Sequence, residues 1–124
     1  MQDGKHVILC VDDDPDILEA IRMILEANGY KVVAAESARE GLKAYKEHKP
    51  DALVVDLMME EVDAGTSLVT QLKAAGCEEP IFMLSSVGDT LSLQTDYAQL
   101  GLAGIFQKPL NTERLLSTLE TKLK

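Results

Sequence analysis

His6-Val7-Ile8-Leu9-Cys10-Val11-Asp12-Asp13-Asp14-Pro15-Asp16-Ile17-Leu18 changes pattern twice in thirteen residues. His6 to Val11 is a short, nearly unbroken apolar run, as expected of a strand covered on both faces. Pro15 suits a first helical turn, and Asp14 before it is a good N-cap. Ile17, Leu18, Ile21, Ile24 and Leu25 then recur at helical spacing, and Asn28-Gly29 ends that helix. Three carboxylates stand at the junction of strand and helix.

The same alternation runs down the chain. Lys31 to Ala35 is a second strand, and Ser37 caps a helix running to about His48, closed by Lys49-Pro50. Ala52 to Val55 is a third strand, followed by a helix over about Gly65 to Ala75 that ends at Gly76. Pro80 to Leu84 is a fourth strand, and a weaker helix is predicted over about Asp89 to Leu100. Ala103 to Gln107 is a fifth strand, and Asn111 caps a last helix whose inner face holds Leu115, Leu116, Leu119 and Leu123. Strict alternation of strand and helix implies a parallel sheet with helices on both faces. The expected fold is a doubly wound α/β domain, a (βα)5 three-layer sandwich with strand order 2-1-3-4-5. One domain covers residues 1–124.

Composition agrees with a single globular domain. Of the 124 residues, 46% are hydrophobic and 27% charged, so the chain can bury a core without disulfides or a structural metal. The net charge of -9 argues against non-specific nucleic-acid binding, which needs Lys and Arg to neutralise phosphates. Cys10 and Cys77 fit no metal spacing, and Cys10 reads as a buried free thiol. That favours a reducing compartment. No signal peptide or membrane-spanning stretch is visible, so the expected location is cytoplasmic, with no membrane insertion. His6 and His48 are expected at the surface.

Right-handed crossovers put every strand C-terminus on one edge, where such sheets bind ligands. Asp12, Asp13 and Asp14 follow the first strand there, Asp56 the third, Ser85 and Ser86 the fourth, and Lys108-Pro109 the fifth. Carboxylates this close repel unless a hard divalent cation bridges them. Mg2+ (or Mn2+) suits oxygen ligands and retains phosphate oxygens in its shell. Lys108 adds a point charge for a phosphoryl oxygen, and Ser85 offers a donor to another. Phosphoryl transfer needs positioning and charge neutralisation above all, and a carboxylate such as Asp56 is a competent nucleophile.

Ile-Leu-Cys-Val-Asp-Asp-Asp-Pro-Asp-Ile-Leu (8–18), Val-Val-Asp-Leu-Met-Met (54–59), Met-Leu-Ser-Ser (83–86) and Phe-Gln-Lys-Pro-Leu (106–110) together resemble the bacterial response-regulator receiver domains. The resemblance spans essentially the whole chain. It implies a flavodoxin-like fold and a phosphorelay switch rather than a turnover enzyme. Asp56 would be the phosphoacceptor and Asp12 and Asp13 the acidic metal pair. The backbone carbonyl of Met58 would be a further metal ligand, Ser85 the switch hydroxyl and Lys108 the phosphate-binding lysine. Ser86 stands where a smaller residue is common and would touch the phosphoryl group. The implied donor is a sensor histidine kinase or histidine phosphotransfer protein, with a downstream effector that the sequence does not name.

The chain departs from the family pattern in places. Glu60 replaces a frequent proline four residues after the phosphoacceptor, and Gly65 lies one position late. Ile105 replaces the aromatic often found three residues before the lysine, with Phe106 beside it. Val87 and Met58 flank the site and are apolar, which predicts a phosphorylated state that is not especially short-lived. Three alternatives compete. A HAD-type phosphatase would use Asp12 as nucleophile, but it lacks here the further acidic pair it needs after the lysine. A flavin or nucleotide binder would want a Gly- or Ser/Thr-rich first loop. A phosphorylation-independent adaptor of the same fold is the third. Residues 1–124 read either as a stand-alone receiver or as a fragment of a longer chain.

Overall fold

A computed structural model of the chain describes residues 4–56, 64–85, 103–107 and 111–123. In chain order the elements are β1 (Val7–Val11), α1 (Pro15–Glu26), β2 (Lys31–Ala35), α2 (Ala38–His48), β3 (Ala52–Asp56), α3 (Ala64–Ala74), β4 (Ile81–Ser85), β5 (Gly104–Gln107) and α4 (Thr112–Lys122). All strand pairs are parallel, in the order β2-β1-β3-β4-β5. The expected topology is therefore the observed one. The helix predicted over 89–100 lies outside the described residues.

The adjacent strands β1 and β3 show why the chain folds this way. Every residue of β1 and β3 is buried, and strand periodicity deals their side chains alternately to two cores. Leu9, Val11, Leu53 and Val55 meet Leu68, Val69 and Leu72 of α3, with Leu42 and Tyr45 of α2 packed alongside. Ile8, Cys10, Ala52 and Val54 meet Leu18, Ile21 and Leu25 of α1 and Leu115 and Leu119 of α4. Full burial of one such Leu or Ile contributes about 1.5–3 kcal/mol. Leu116 and Leu123 are only partly buried, at the margin of the same core.

Local signals set the helix ends. The Asp14 side chain accepts from the Asp16 N–H at 2.9 Å, and Asn111 does the same for Arg114 at 3.0 Å. Ser37 accepts from the Glu40 N–H at 3.1 Å, while Glu40 reaches back to accept from the Glu36 N–H at 3.1 Å. Gly29 and Gly76 take positive φ after α1 and α3, as the sequence predicted. Lys49 does so after α2, at φ 46°, where glycine is the usual occupant.

Gly41 is required by packing. A Cβ there would sit 2.8 Å from Val11 Cγ2 and 3.2 Å from Leu68 Cδ2, so its absence lets α2 close onto β1 and α3. The strand limits differ slightly from the expected ones. β1 begins at Val7, β3 runs on to include Asp56, and β4 runs on to Ser85. Parallel ladder bonds persist as far as a neighbour offers a partner, whatever the polarity of the side chain. His6 is half-buried rather than at the surface, with Nδ1 3.8 Å from Asp51 Oδ2. Among the described residues no helix is long and apolar enough to cross a membrane.

Candidate functional site

The C-terminal edge of the sheet is built from the ends of β1 and β3. Val11 pairs with Val55, so one step further along both strands Asp12 lies level with Asp56. Both side chains are buried, at 1% and 3% exposure, which is rare for carboxylates. The backbone N–H of Asp12 still donates to Ala35 of β2, so the sheet holds this residue up to the moment the chain turns.

Beyond it the loop is fixed by successive aspartates. Asp12 Oδ1 accepts from the Asp14 N–H at 2.9 Å, and Asp14 Oδ1 accepts from the Asp16 N–H at 2.9 Å. Each is a side chain bonding two residues ahead, and together they lead the chain into α1. Asp13 lies between them, exposed. The acidic run thus divides its labour: Asp14 caps α1 as expected, while Asp12 and Asp13 face the end of β3.

Carboxylate oxygens of Asp12, Asp13 and Asp56 all lie within 4.8 Å of one another. Two full negative charges at that separation repel by about 3 kcal/mol at an effective dielectric constant of about 20. A hard divalent cation removes that cost. Carboxylate oxygens within 4.8 Å of one another are near enough to converge on one such ion. The donor set is all oxygen, as Mg2+ or Mn2+ prefers, and contains no thiolate or imidazole. The three residues therefore fit such an ion.

The other expected site residues are described less fully. Ser85 ends β4 one step beyond Leu84, the register partner of Asp56, so its backbone stands at the same edge. Its side chain, and all of Met58, Ser86 and Lys108, lie outside the described residues. So do Glu60 and Val87. Lys108 follows Gln107, which pairs with Ser85 at the end of β5.

Neighbouring residues show what the aspartates are set against. Burial pushes the Cys10 thiol up to about 12, with a smaller lowering from Arg22. It is a neutral core side chain, as the sequence suggested. Ile105 and Phe106 point to opposite sides of the sheet. Ile105 is partly buried on the α2/α3 side. Phe106 is buried on the α1/α4 side, its ring 5.3 Å from that of Phe82. Gly104 makes room for that pair, because a Cβ there would meet the Phe82 ring at 3.1 Å. Phe106 is thus a core aromatic and no replacement for the one missing at 105.

The sequence profile of the response regulator receiver domain matches residues 8–120. The chain belongs to that family. As a receiver domain it works in two-component signalling. It is 35% identical over 119 residues to the chemotaxis protein CheY of Bacillus subtilis, covering 95% of this chain and 98% of CheY. It is 35% identical over 117 residues to the response regulator MprA of Mycolicibacterium vanbaalenii, covering 94% of this chain but 50% of MprA. The receiver thus spans about half the length of its MprA relatives and nearly the full length of CheY. Among solved structures, the chemotaxis protein CheY4 of Vibrio cholerae superposes with a TM-score of 0.86 at 30% identity, over 97% of this chain and 100% of CheY4. A CheY-like receiver domain from Methanospirillum hungatei superposes at 0.88 with 28% identity, over 97% and 94% of the two chains. Family membership replaces the phosphatase and flavin-binder readings.

Proposed function

We propose that Asp56 accepts a phosphoryl group from a phosphohistidine and that residues 1–124 form one switching domain. The observation that carries this is the convergence of the Asp12, Asp13 and Asp56 carboxylates within 4.8 Å at the C-terminal edge of the sheet. An Asp56 carboxylate oxygen attacks phosphorus, the P–N bond to the donor imidazole breaks, and the imidazole leaves as the new P–O bond forms. Asp12 and Asp13, with the Met58 carbonyl, would hold Mg2+ (or Mn2+). That ion supplies charge neutralisation for the transferring phosphoryl group. Lys108 pairs with one phosphoryl oxygen, and Ser85 donates to another. Ser86 stands next to Ser85 and touches the same group.

The protein is then a switch, with phosphate shifting an equilibrium between two states rather than feeding a turnover cycle. Its partners are a sensor histidine kinase or phosphotransfer protein and a downstream effector, meeting it in the cytoplasm. The test is incubation of wild type and Asp56→Ala with acetyl phosphate and magnesium, read by intact-protein mass spectrometry. One acid-labile phosphate on wild type and none on Asp56→Ala is the expected result. No modification of wild type would favour a phosphorylation-independent adaptor, and modification of Asp56→Ala would place the acceptor elsewhere.

A further inference from the structure

The outer face of α2 is an unusual surface for so acidic a chain. Twelve Lys and Arg stand against 21 Asp and Glu, yet four of those twelve, Arg39, Lys43, Lys46 and Lys49, fall within eleven residues. Steps of four and three put Arg39, Lys43 and Lys46 on one side of the helix, over a length of about 10 Å. The opposite side is anchored: Gly41 is buried, and Leu42 and Tyr45 pack on the core. All four cations are exposed. Lys49 continues the row from the αL position that ends the helix.

These cations are not absorbed by neighbouring acids. Glu40 accepts from the Glu36 N–H at the start of the helix, and Glu47 lies 4.0 Å from His48. Among the described residues none of the four forms an ion pair. Glu40 and Glu47, seven residues apart and both exposed, make a second stripe of opposite sign beside the first. The surface is therefore a positive stripe with a negative border.

We propose that this face of α2 docks an acidic α-helical face of another protein, with carboxylates at i, i+4 and i+7 set against Arg39, Lys43 and Lys46. The negative border and the net charge of -9 oppose an extended polyanion such as nucleic acid or an anionic bilayer. A helix of patterned charge avoids both costs. Its carboxylates meet the cations, and a flanking Lys or Arg meets Glu40 and Glu47. The surface is separate from the aspartate cluster, so it does not depend on phosphorylation of Asp56.

The test uses the whole chain and a synthetic alanine-based helical peptide with glutamates at i, i+4 and i+7. Controls are a peptide of the same composition in scrambled order, vesicles of anionic phospholipid, and duplex DNA. The patterned peptide should bind at least fivefold more tightly than the scrambled one. Amide shifts should be confined to 38–49, and binding should weaken as salt is raised. Arg39→Glu/Lys43→Glu/Lys46→Glu should weaken it at least tenfold, whereas Lys122→Glu on α4 should leave it unchanged. Circular dichroism confirms that these exposed substitutions keep the fold. Equal binding of both peptides, or tighter binding to vesicles or DNA, would overturn the proposal. So would self-association of the chain alone, which would assign the face to a second copy through Asp16, Glu19 and Glu26 of its α1.

Discussion

The two ends of the sheet each hold a turn-forming aspartate in a sheltered place, and the two do opposite things. At the N-terminal end, Asp51 Oδ2 accepts from the Val7 N–H at 2.7 Å while its own N–H donates to the Val7 carbonyl at 2.7 Å. His6 approaches the same carboxylate oxygen at 3.8 Å. That aspartate clamps the start of β1 to the start of β3. At the C-terminal end, Asp12 and Asp56 are deeper still, and the groups gathered round them include a third carboxylate, Asp13. A sheltered acid given donors stabilises the fold. Sheltered acids gathered together also repel one another, and such repulsion concentrates where a ligand relieves it.

The largest expected effect lies at Asp56. Asp56→Asn should lose phosphorylation by acetyl phosphate completely while melting no lower than wild type in metal-free buffer, since it removes a repelling charge. A marked fall in melting temperature would mean that Asp56 is structural, like Asp51. Next in size, Asp51→Ala should cost about 1–3 kcal/mol of stability in urea unfolding, because it strands the Val7 N–H, and should leave the extent of phosphorylation unchanged. Failure to accept phosphate in a folded Asp51→Ala protein would erase the division between the two ends.

A smaller effect is expected at Asp13. Asp13→Asn should weaken Mg2+ binding by about tenfold, or about 1.4 kcal/mol, with little change in metal-free stability, because this residue is exposed. Titration calorimetry reads the first quantity and urea unfolding the second. The smallest effect concerns Cys10, two residues inside the acidic edge. Its thiol is raised from 9.0 to about 12 in the fold, so its full contribution to stability is present below pH 9. Above pH 9 the unfolded chain ionises and the folded chain does not, so stability falls with rising pH, by at most about 1.4 kcal/mol per pH unit, until about pH 12. Cys77 is shifted in the same direction by its own burial. Replacing Cys10 by Ala should flatten this alkaline limb, and an unchanged slope would show that the thiol ionises equally in both states.

Much of the candidate site is legible in the sequence. A strand-like run ending in Asp12-Asp13-Asp14-Pro15 states both the edge at which the acids stand and the helix that follows. Asp56 was legible for the same reason, at the end of Ala52 to Val55. Less visible was the division of labour within the acidic run, where Asp12 and Asp14 each accept a bond from two residues ahead and Asp13 does not. The clamp at Asp51 was missed, because a lone aspartate after Lys49-Pro50 reads as an ordinary turn residue. The Ile105–Phe106 exchange was noted in the sequence, but which face each side chain takes depends on strand register.

By itself the sequence determined the alternation of strands and helices, their caps, the strand order and the acids at the strand ends. Those follow from periodicity and local hydrogen bonding, which act over a few residues. Tertiary structure alone decided that Asp12 and Asp56 lie level, that Asp51 faces Val7, and that Gly41 must lack a side chain because Val11 is 2.8 Å from where its Cβ would be. Each of those facts joins residues 30 or more positions apart. Contacts at that range are set by how whole layers close on one another, and no short window of sequence carries that information.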